Sequence, residues 1–256
     1  MTGLLGLPPN HSANGAAIDD TMLIVHILML ILFIGWGAYF VYVLIKFRRA
    51  KNEKADYMGV KSKFSKYLEI AVAALEGALL LGFSFPIWAK RVERFPDPKD
   101  ATVVRLIGEQ FAWNVHYPGP DGIFGRTDTS LVSAETNPLG IDRDDPAAKD
   151  DIITLNQMHL PVDKPAIIHL SSKDVIHCIN LRTMRVKQDL VPGIAIPIWF
   201  EPIQTGQTEI ACAQLCGLGH YRMKGFLTVE TQAEFDAWME EQAKALEEEG
   251  GDEFWD

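Results

Sequence analysis

The chain has 256 residues, 48% of them hydrophobic, and a net charge of -10, which would suit one or two soluble domains if the apolar residues were evenly spread. They are not, and a chain this acidic offers no electrostatic footprint for nucleic acid, so none is expected as a partner. Residues Met22 to Ile45 carry no Asp, Glu, Lys or Arg, long enough to cross a hydrocarbon core as a helix. A second apolar stretch runs from about Tyr67 to Ala89, with Pro86 near its far end, where a membrane helix tolerates a kink. No later segment approaches this length. The membrane part, residues 22–89, therefore reads as a two-helix hairpin in lipid.

Between the spans, residues 46 to 67 hold eight Lys or Arg against Glu53 and Asp56, whereas residues 1 to 21 hold none. Positive charge stays on the cytoplasmic side, so the loop 46–66 is expected there. Both termini then lie on the outer side of a bacterial plasma membrane, residues 1–21 forming an N-terminal outer segment. That segment lacks the basic start of a signal peptide, and the first helix is expected to direct insertion.

Residues 90–231 read as strands. Short apolar runs such as Val103 to Ile107, Ile152 to Leu155, Ala166 to Leu170, Ile194 to Phe200 and Gly225 to Val229 are separated by turn residues. The polar stretch Thr136 to Asp151, with Pro138, Gly140 and Pro146, reads as a surface insertion between strands. The last segment, 232–256, contains ten Asp or Glu and only Lys244, a net of -9, and the strand region adds 15 basic and 18 acidic residues, a net of -3. An acidic exterior speeds encounter with a basic carrier protein. Phe235 and Trp238, at i and i+3, point to a helix docked on the domain, with a solvated tail beyond it.

The most specific signal is Cys212-Ala-Gln-Leu-Cys216-Gly-Leu-Gly-His220-Tyr-Arg-Met223, which puts two thiolates, an imidazole and a thioether into one short run. Thiolate with thioether selects copper or an iron-sulfur centre over hard cations, and imidazole tips the choice towards copper. A mononuclear blue-copper loop would use one cysteine; two cysteines four apart can bridge a pair of ions, each ion completed by a histidine. The second histidine is sought in Lys173-Asp-Val-Ile-His177-Cys-Ile-Asn. A disulfide between Cys212 and Cys216 and a zinc site are the competing readings. Cys178 reads as a small buried hydrophobe, and His26, His116, His159 and His169 as structural.

Asp174-Val-Ile-His177, then Met184-Arg-Val-Lys-Gln-Asp-Leu-Val-Pro-Gly193, then the cysteine loop together resemble subunit II of the haem-copper terminal oxidases, the cytochrome c oxidase family. The resemblance runs from the first hydrophobic segment to about residue 230. It implies a membrane-anchored all-β fold, a transmembrane hairpin followed by a cupredoxin-like Greek-key barrel. It implies that His177, Cys212, Cys216, His220 and Met223 ligate the two coppers of a CuA centre, with the Gln214 backbone carbonyl as a further weak ligand. That centre would take electrons from cytochrome c, soluble or held in a supercomplex, and pass them to haem in subunit I, where oxygen is reduced and protons are pumped; subunit III is a further expected partner. No Cys-x-x-Cys-His occurs, so no covalently bound haem is expected in this chain.

Members of the family admit electrons through an aromatic stretch. Here it reads Gln110-Phe111-Ala-Trp113-Asn-Val-His-Tyr117, with Phe111 where tryptophan is usual, so Trp113 and Phe111 are both candidates. Asp174 and Glu109 are candidate docking carboxylates for the donor. Glu69 matches a glutamate that marks a proton path into subunit I, and Glu76, where proline is common, is a candidate extension of it. Gln214 replaces a glutamate that helps bind Mg2+ or Mn2+ at the boundary with subunit I, which removes a charge that a hard cation relies on and leaves that site doubtful. The CuA domain of nitrous oxide reductase shares the loop but not the two membrane helices, a quinol oxidase subunit II lacks the ligands, and a copper-storage or copper-delivery protein would need no glutamate within a membrane helix.

Overall fold

The computed structural model describes residues 6–52, 54, 57–58, 62–134 and 136–251; Glu53, Asp56 and Lys61 of the basic loop and residues 252–256 of the acidic tail lie outside them. The chain divides into two compact units, one of residues 17–93 and one of residues 1–16 with 94–256.

The first unit is helical. α1 spans Gly15–Lys46, and a second rod runs Phe64–Glu93 as α2 (Phe64–Leu79), a π-helical turn (Leu80–Ser84) and α3 (Phe85–Glu93). α1 begins earlier than the apolar run suggests, because hydropathy marks the part suited to lipid while Ala16, Ala17 and Ile18 extend the helix beyond it. Its apolar residues occupy every face, with Phe33, Ile34 and Phe40 all exposed. A helix apolar all round needs lipid or other helices about it. In the second rod the Phe85 N–H bonds the Leu80 carbonyl five residues back. This bulge sits just before Pro86, which has no N–H of its own and whose ring crowds the preceding turn.

The second unit is a sandwich of two five-stranded sheets. One has the order β3-β2-β1-β5-β8, the other β4-β10-β9-β6-β7. Their strands are β1 (Thr102–Glu109), β2 (Ala112–Tyr117), β3 (Ile152–Leu155), β4 (Gln157–Pro161), β5 (Ala166–Ser172), β6 (His177–Leu181), β7 (Val186–Leu190), β8 (Ile196–Phe200), β9 (Gly206–Cys212) and β10 (Lys224–Glu230). Alternation decides which face is inside: Val104 and Leu106 of β1 and Ala166, Ile168 and Leu170 of β5 are fully buried, and their partners across the ladder share that face. Trp113, Phe200, Ile179, Leu181, Ile210 and Leu227 complete the core. The membrane-anchored all-β architecture is thus as expected, with a two-sheet sandwich for the barrel.

Two details differ from the sequence reading. The insertion between strands occupies all of residues 118–151, since β2 ends at Tyr117 and β3 starts at Ile152; Gly119, Gly122 and Asp121 are as much turn formers as the residues after 136. The N-terminal segment is also part of the sandwich edge. The His11 N–H donates to the Thr183 carbonyl, that of Ala13 to Glu201, and that of Ile203 to the His11 carbonyl, while Ser12 bridges Pro202 and is fully buried.

α4 (Gln232–Gly251) starts at a capping box, in which the Thr231 hydroxyl accepts from the Glu234 N–H and Glu234 accepts from the Thr231 N–H. It docks through aromatic residues. Trp238 stacks on His159 with centroids 4.1 Å apart and meets Tyr117 edge-on at 5.3 Å, and Phe235 is buried in the core. His159 is fixed from its other side by Glu230, 2.9 Å away. Phe235→Ala is expected to cost about 3 kcal/mol, read as a fall in the urea midpoint followed by tryptophan fluorescence, whereas Glu241→Ala on the exposed face leaves the midpoint unchanged.

Candidate metal centre

The site lies where strand ends meet. β6 starts at His177, β9 ends at Cys212 and pairs with it so that Ile179 faces Cys212, and β10 begins directly after Met223. The loop 213–219 and the short turn His220–Arg222 close the gap. Cys212 and Cys216 are free thiols with sulfurs 3.8 Å apart. Cys212 Sγ lies 4.0 Å from His177 Nδ1, and Cys216 Sγ lies 3.7 Å from both His220 Nδ1 and Met223 Sδ. His177, Cys212 and Cys216 hold their donor atoms within 4.8 Å of one another. The Gln214 carbonyl is 3.2 Å from Cys212 Sγ, its side chain exposed.

These spacings fit soft-metal ligation. Two thiolates sharing an ion at about 2.3 Å each stand about 3.8 Å apart at a tetrahedral angle, and a thiolate and an imidazole on one ion stand about 3.5 Å apart. The sulfurs match the first figure and the sulfur–nitrogen pairs approach the second. Each sulfur has its own histidine, His177 beside Cys212 and His220 beside Cys216.

Protonation is arranged to suit. His177 Nε2 sits 2.9 Å from Asp174 Oδ1, which fixes the ring so that Nδ1 faces the sulfurs. Burial pushes the Asp174 carboxyl up, but hydrogen bonds from His177, Gln110 and Val175 outweigh it and hold it below its ordinary value. Burial likewise raises Cys212, yet hydrogen bonding with His177 and with main-chain groups brings it down to about 6. Cys216 goes the other way, to about 11, through burial and the neighbouring Cys212. Cys178 is pushed up to about 12 by burial and then Asp189, so it stays a thiol.

Gln110 and three glycines, unassigned in the sequence reading, shape the surroundings. The Gln110 N–H donates to Asp174 Oδ2 at 2.8 Å, and its side-chain amide donates to the Cys216 carbonyl. A Cβ on Gly108 would stand 3.0 Å from the His177 ring, and one on Gly219 would stand 2.4 Å from the Phe111 ring. Gly217, at φ +133°, adopts a backbone that side chains disfavour and faces Gln110 and Phe111 as well. The Gly-Leu-Gly after Cys216 is the visible signal for two of these; Gly108 gives none.

Trp113 is fully buried, its ring centroid 6.2 Å from that of His177. Phe111 is only partly buried and lies over the loop glycines, with the Arg222 guanidinium 5.9 Å from its centroid. The oxygens of the two surface carboxylates are engaged: Asp174 as above, Glu109 with Lys173 and with Asn114 at 3.0 Å. In the helical unit, Glu69 accepts from Ser65 at 3.0 Å and lines a groove with Trp36 and Tyr39. Glu76 is exposed on α2.

Residues 102–232 match the family described as cytochrome c oxidase subunit II, periplasmic domain. The chain is 34% identical over 232 residues to the alternative cytochrome c oxidase subunit 2 of Bradyrhizobium diazoefficiens, an alignment covering 90% of this chain and 82% of that one. To the cytochrome c oxidase subunit 2 of Synechocystis sp. it is 27% identical over 257 residues, covering 93% and 76%. Among solved structures it is similar to the periplasmic domain of subunit II of cytochrome oxidase of Bradyrhizobium japonicum, with a TM-score of 0.44 and 27% identity over 60% of this chain and 99% of that one.

The contact between Gly219 and Phe111 can be tested without assuming which metal binds. Gly219→Ala is expected to displace the loop and lower metal loading severalfold, measured by elemental analysis after reconstitution. Adding Phe111→Ala, which removes the obstructing ring, restores loading; equal loss in the single and double variants would show that the ring is not the obstacle.

Proposed function

Because the chain belongs to the cytochrome c oxidase subunit II family, we propose that it takes single electrons from cytochrome c at a dinuclear copper centre and delivers them to haem in subunit I of its oxidase, where oxygen is reduced to water and protons are pumped. Family membership makes it part of a haem-copper oxidase complex, and the two long apolar helices fit membrane anchoring. The observation that carries the finer reading is the convergence of His177, Cys212, Cys216, His220 and Met223 at contact spacings that suit two ions sharing two thiolates. Those five side chains would hold the coppers, with the Gln214 carbonyl as a weak sixth donor. When bound, the pair supplies a one-electron carrier.

The residues around it restrain its geometry. Asp174 fixes the ring orientation of His177, Gln110 fixes the loop through the Cys216 carbonyl, and a β scaffold resists movement at both ends. Little rearrangement then accompanies a change of charge. Around the loop, Leu215, Leu218 and Tyr221 are largely exposed, an apolar rim of the kind that partner proteins cover. Its location at the site supports contact with subunit I or with the donor. Phe111, partly exposed beside the loop, suits the arrival of electrons better than the enclosed Trp113. A basic cytochrome c, soluble or in a supercomplex, suits the net charge of -10.

The hydrogen bonds of residues 11–13 to the sandwich support placing both flanks of the hairpin on one side of the membrane. Loop charge puts that side outside, in a bacterial plasma membrane, with subunit III as a further neighbour. The neutral Gln214 argues for a weak Mg2+ or Mn2+ site or none.

Metal analysis with electron paramagnetic resonance is the decisive measurement. Two coppers per chain sharing one unpaired electron are expected, with that signal lost in Cys216→Ser; one copper, or zinc in its place, overturns the reading. Glu69 in its groove and Glu76 above it are proposed to serve proton uptake. Glu69→Ala should slow oxidase turnover at least severalfold and leave the copper spectrum unchanged, and full turnover in both Glu69→Ala and Glu76→Ala would exclude such a path.

A further inference from the structure

The outer face of the β3-β2-β1-β5-β8 sheet carries a feature separate from the soft ligands. Register sets His116 of β2, Arg105 of β1 and His169 of β5 opposite one another, a cross-strand row of three basic side chains on one face. The 118–151 insertion covers only one end of the row. There His116 Nε2 lies 2.8 Å from Asp151 Oδ2, both groups buried, and Phe124 meets His116 edge-on at 4.9 Å while its ring lies 4.1 Å below the Arg105 guanidinium. Towards β5 the cover stops. What remains is a cleft of about 600 Å³ lined by Lys99, Arg105, His169, Ser171, Ile107 and Phe124 among others.

No carboxylate among the described residues lines this cleft. Among the described residues, Lys99, Arg105 and His169 form no ion pair within 4 Å. Asp151, the acidic group acting on Arg105, is already committed to His116 and to the Gly125 N–H. His169 is held below its ordinary pKa by burial and then by Arg105, so it meets a ligand as a neutral imidazole and the positive charge of the cleft comes from Arg105 and Lys99. In a chain of net charge -10, two cations lining one cleft suit an anion.

The size and lining narrow the class of that anion. Small-molecule sites occupy about 300–1,000 Å³, mostly apolar with a few convergent polar groups. Here Ile107 and Phe124 give apolar walls, Arg105 offers the planar fork that matches carboxylate or phosphate, and Ser171 adds a hydroxyl. We propose that the cleft binds a small organic anion, a phosphate ester or a polycarboxylate, with Arg105 as its principal contact flanked by Lys99, His169 and Ser171.

The full-length chain in detergent, titrated by calorimetry with ADP and separately with citrate at low ionic strength, tests this and tells the two chemistries apart. At least one probe should bind, and its affinity should fall about tenfold or more in Arg105→Gln. Because Arg105 is half-buried, Lys99→Gln and His169→Gln, which leave it in place, decide the matter if Arg105→Gln does not fold; each should weaken binding severalfold while copper loading stays normal. No binding of either probe, or undiminished binding in Lys99→Gln and His169→Gln, overturns the proposal. Binding by the isolated subunit that vanishes in the assembled oxidase also overturns it, assigning the cleft to an acidic segment of another subunit.

Discussion

The two segments that carry the soft ligands are joined where β6 pairs with β9, and the turn between β1 and β2 fastens both from one side. Gln110 donates through its main chain to Asp174, and so to the orientation of His177; through its side chain it donates to the carbonyl of Cys216. One residue therefore links a histidine and a cysteine that lie 39 positions apart, 177 and 216. The charge-assisted bond to Asp174 is the stronger of the two. Gly108, two residues earlier near the end of β1, lets the His177 ring lie close against the backbone, and Phe111, the next residue after Gln110, rests on the loop glycines. The site is thus held from one side by Gly108, Gln110 and Phe111 and from the other by the β9 and β10 ends.

This arrangement gives the acidic residues near the site a different meaning. Asp174 and Glu109 stand where an approaching protein would meet them, yet their oxygens are engaged with His177, Gln110, Lys173 and Asn114. Their charge remains at the surface while their hydrogen-bonding capacity is used internally. Long-range attraction would survive such engagement, because it depends on net charge, and under the proposed function short-range contact would fall to the exposed, apolar Leu215, Leu218 and Tyr221. Charge and contact are in this way separated on the same end of the sandwich.

The parts of this molecule legible in its sequence are those where chemistry is local. Cys212, Cys216, His220 and Met223 announce a soft-metal loop because their identity and spacing lie within one short run. The two helices are legible because lipid demands a long unbroken apolar stretch. What lies outside such runs was less visible. Residues 6–14 are short, polar and aperiodic, so nothing in them marks an edge segment of a sandwich; their partners at 183, 201 and 203 emerge only in three dimensions. Asp174 read as a surface carboxylate because a sequence shows an ionisable group and not what it bonds. The cross-strand row of His116, Arg105 and His169 depends on the register of a parallel pair, β1 with β5, whose members are separated by the whole 118–151 insertion. Trp238 and Phe235 were legible as docking residues from their spacing alone, and their partners Tyr117 and His159 were not.

The N-terminal strap also imposes an order of events on assembly. Asn14 accepts from the main chain of Glu201 across 187 residues, and the Pro8 carbonyl accepts from Arg185 across 177. Residues 8–14 must therefore wait for a stretch made nearly two hundred residues later before these groups find partners, and contacts of such long range close slowly. Until then the fully buried Ser12 and the strand edge it caps stand open. The sandwich is sealed at this seam only after both helices and strands β1 to β8 have been made, so a chain that stops short of residue 201 carries an unclosed edge.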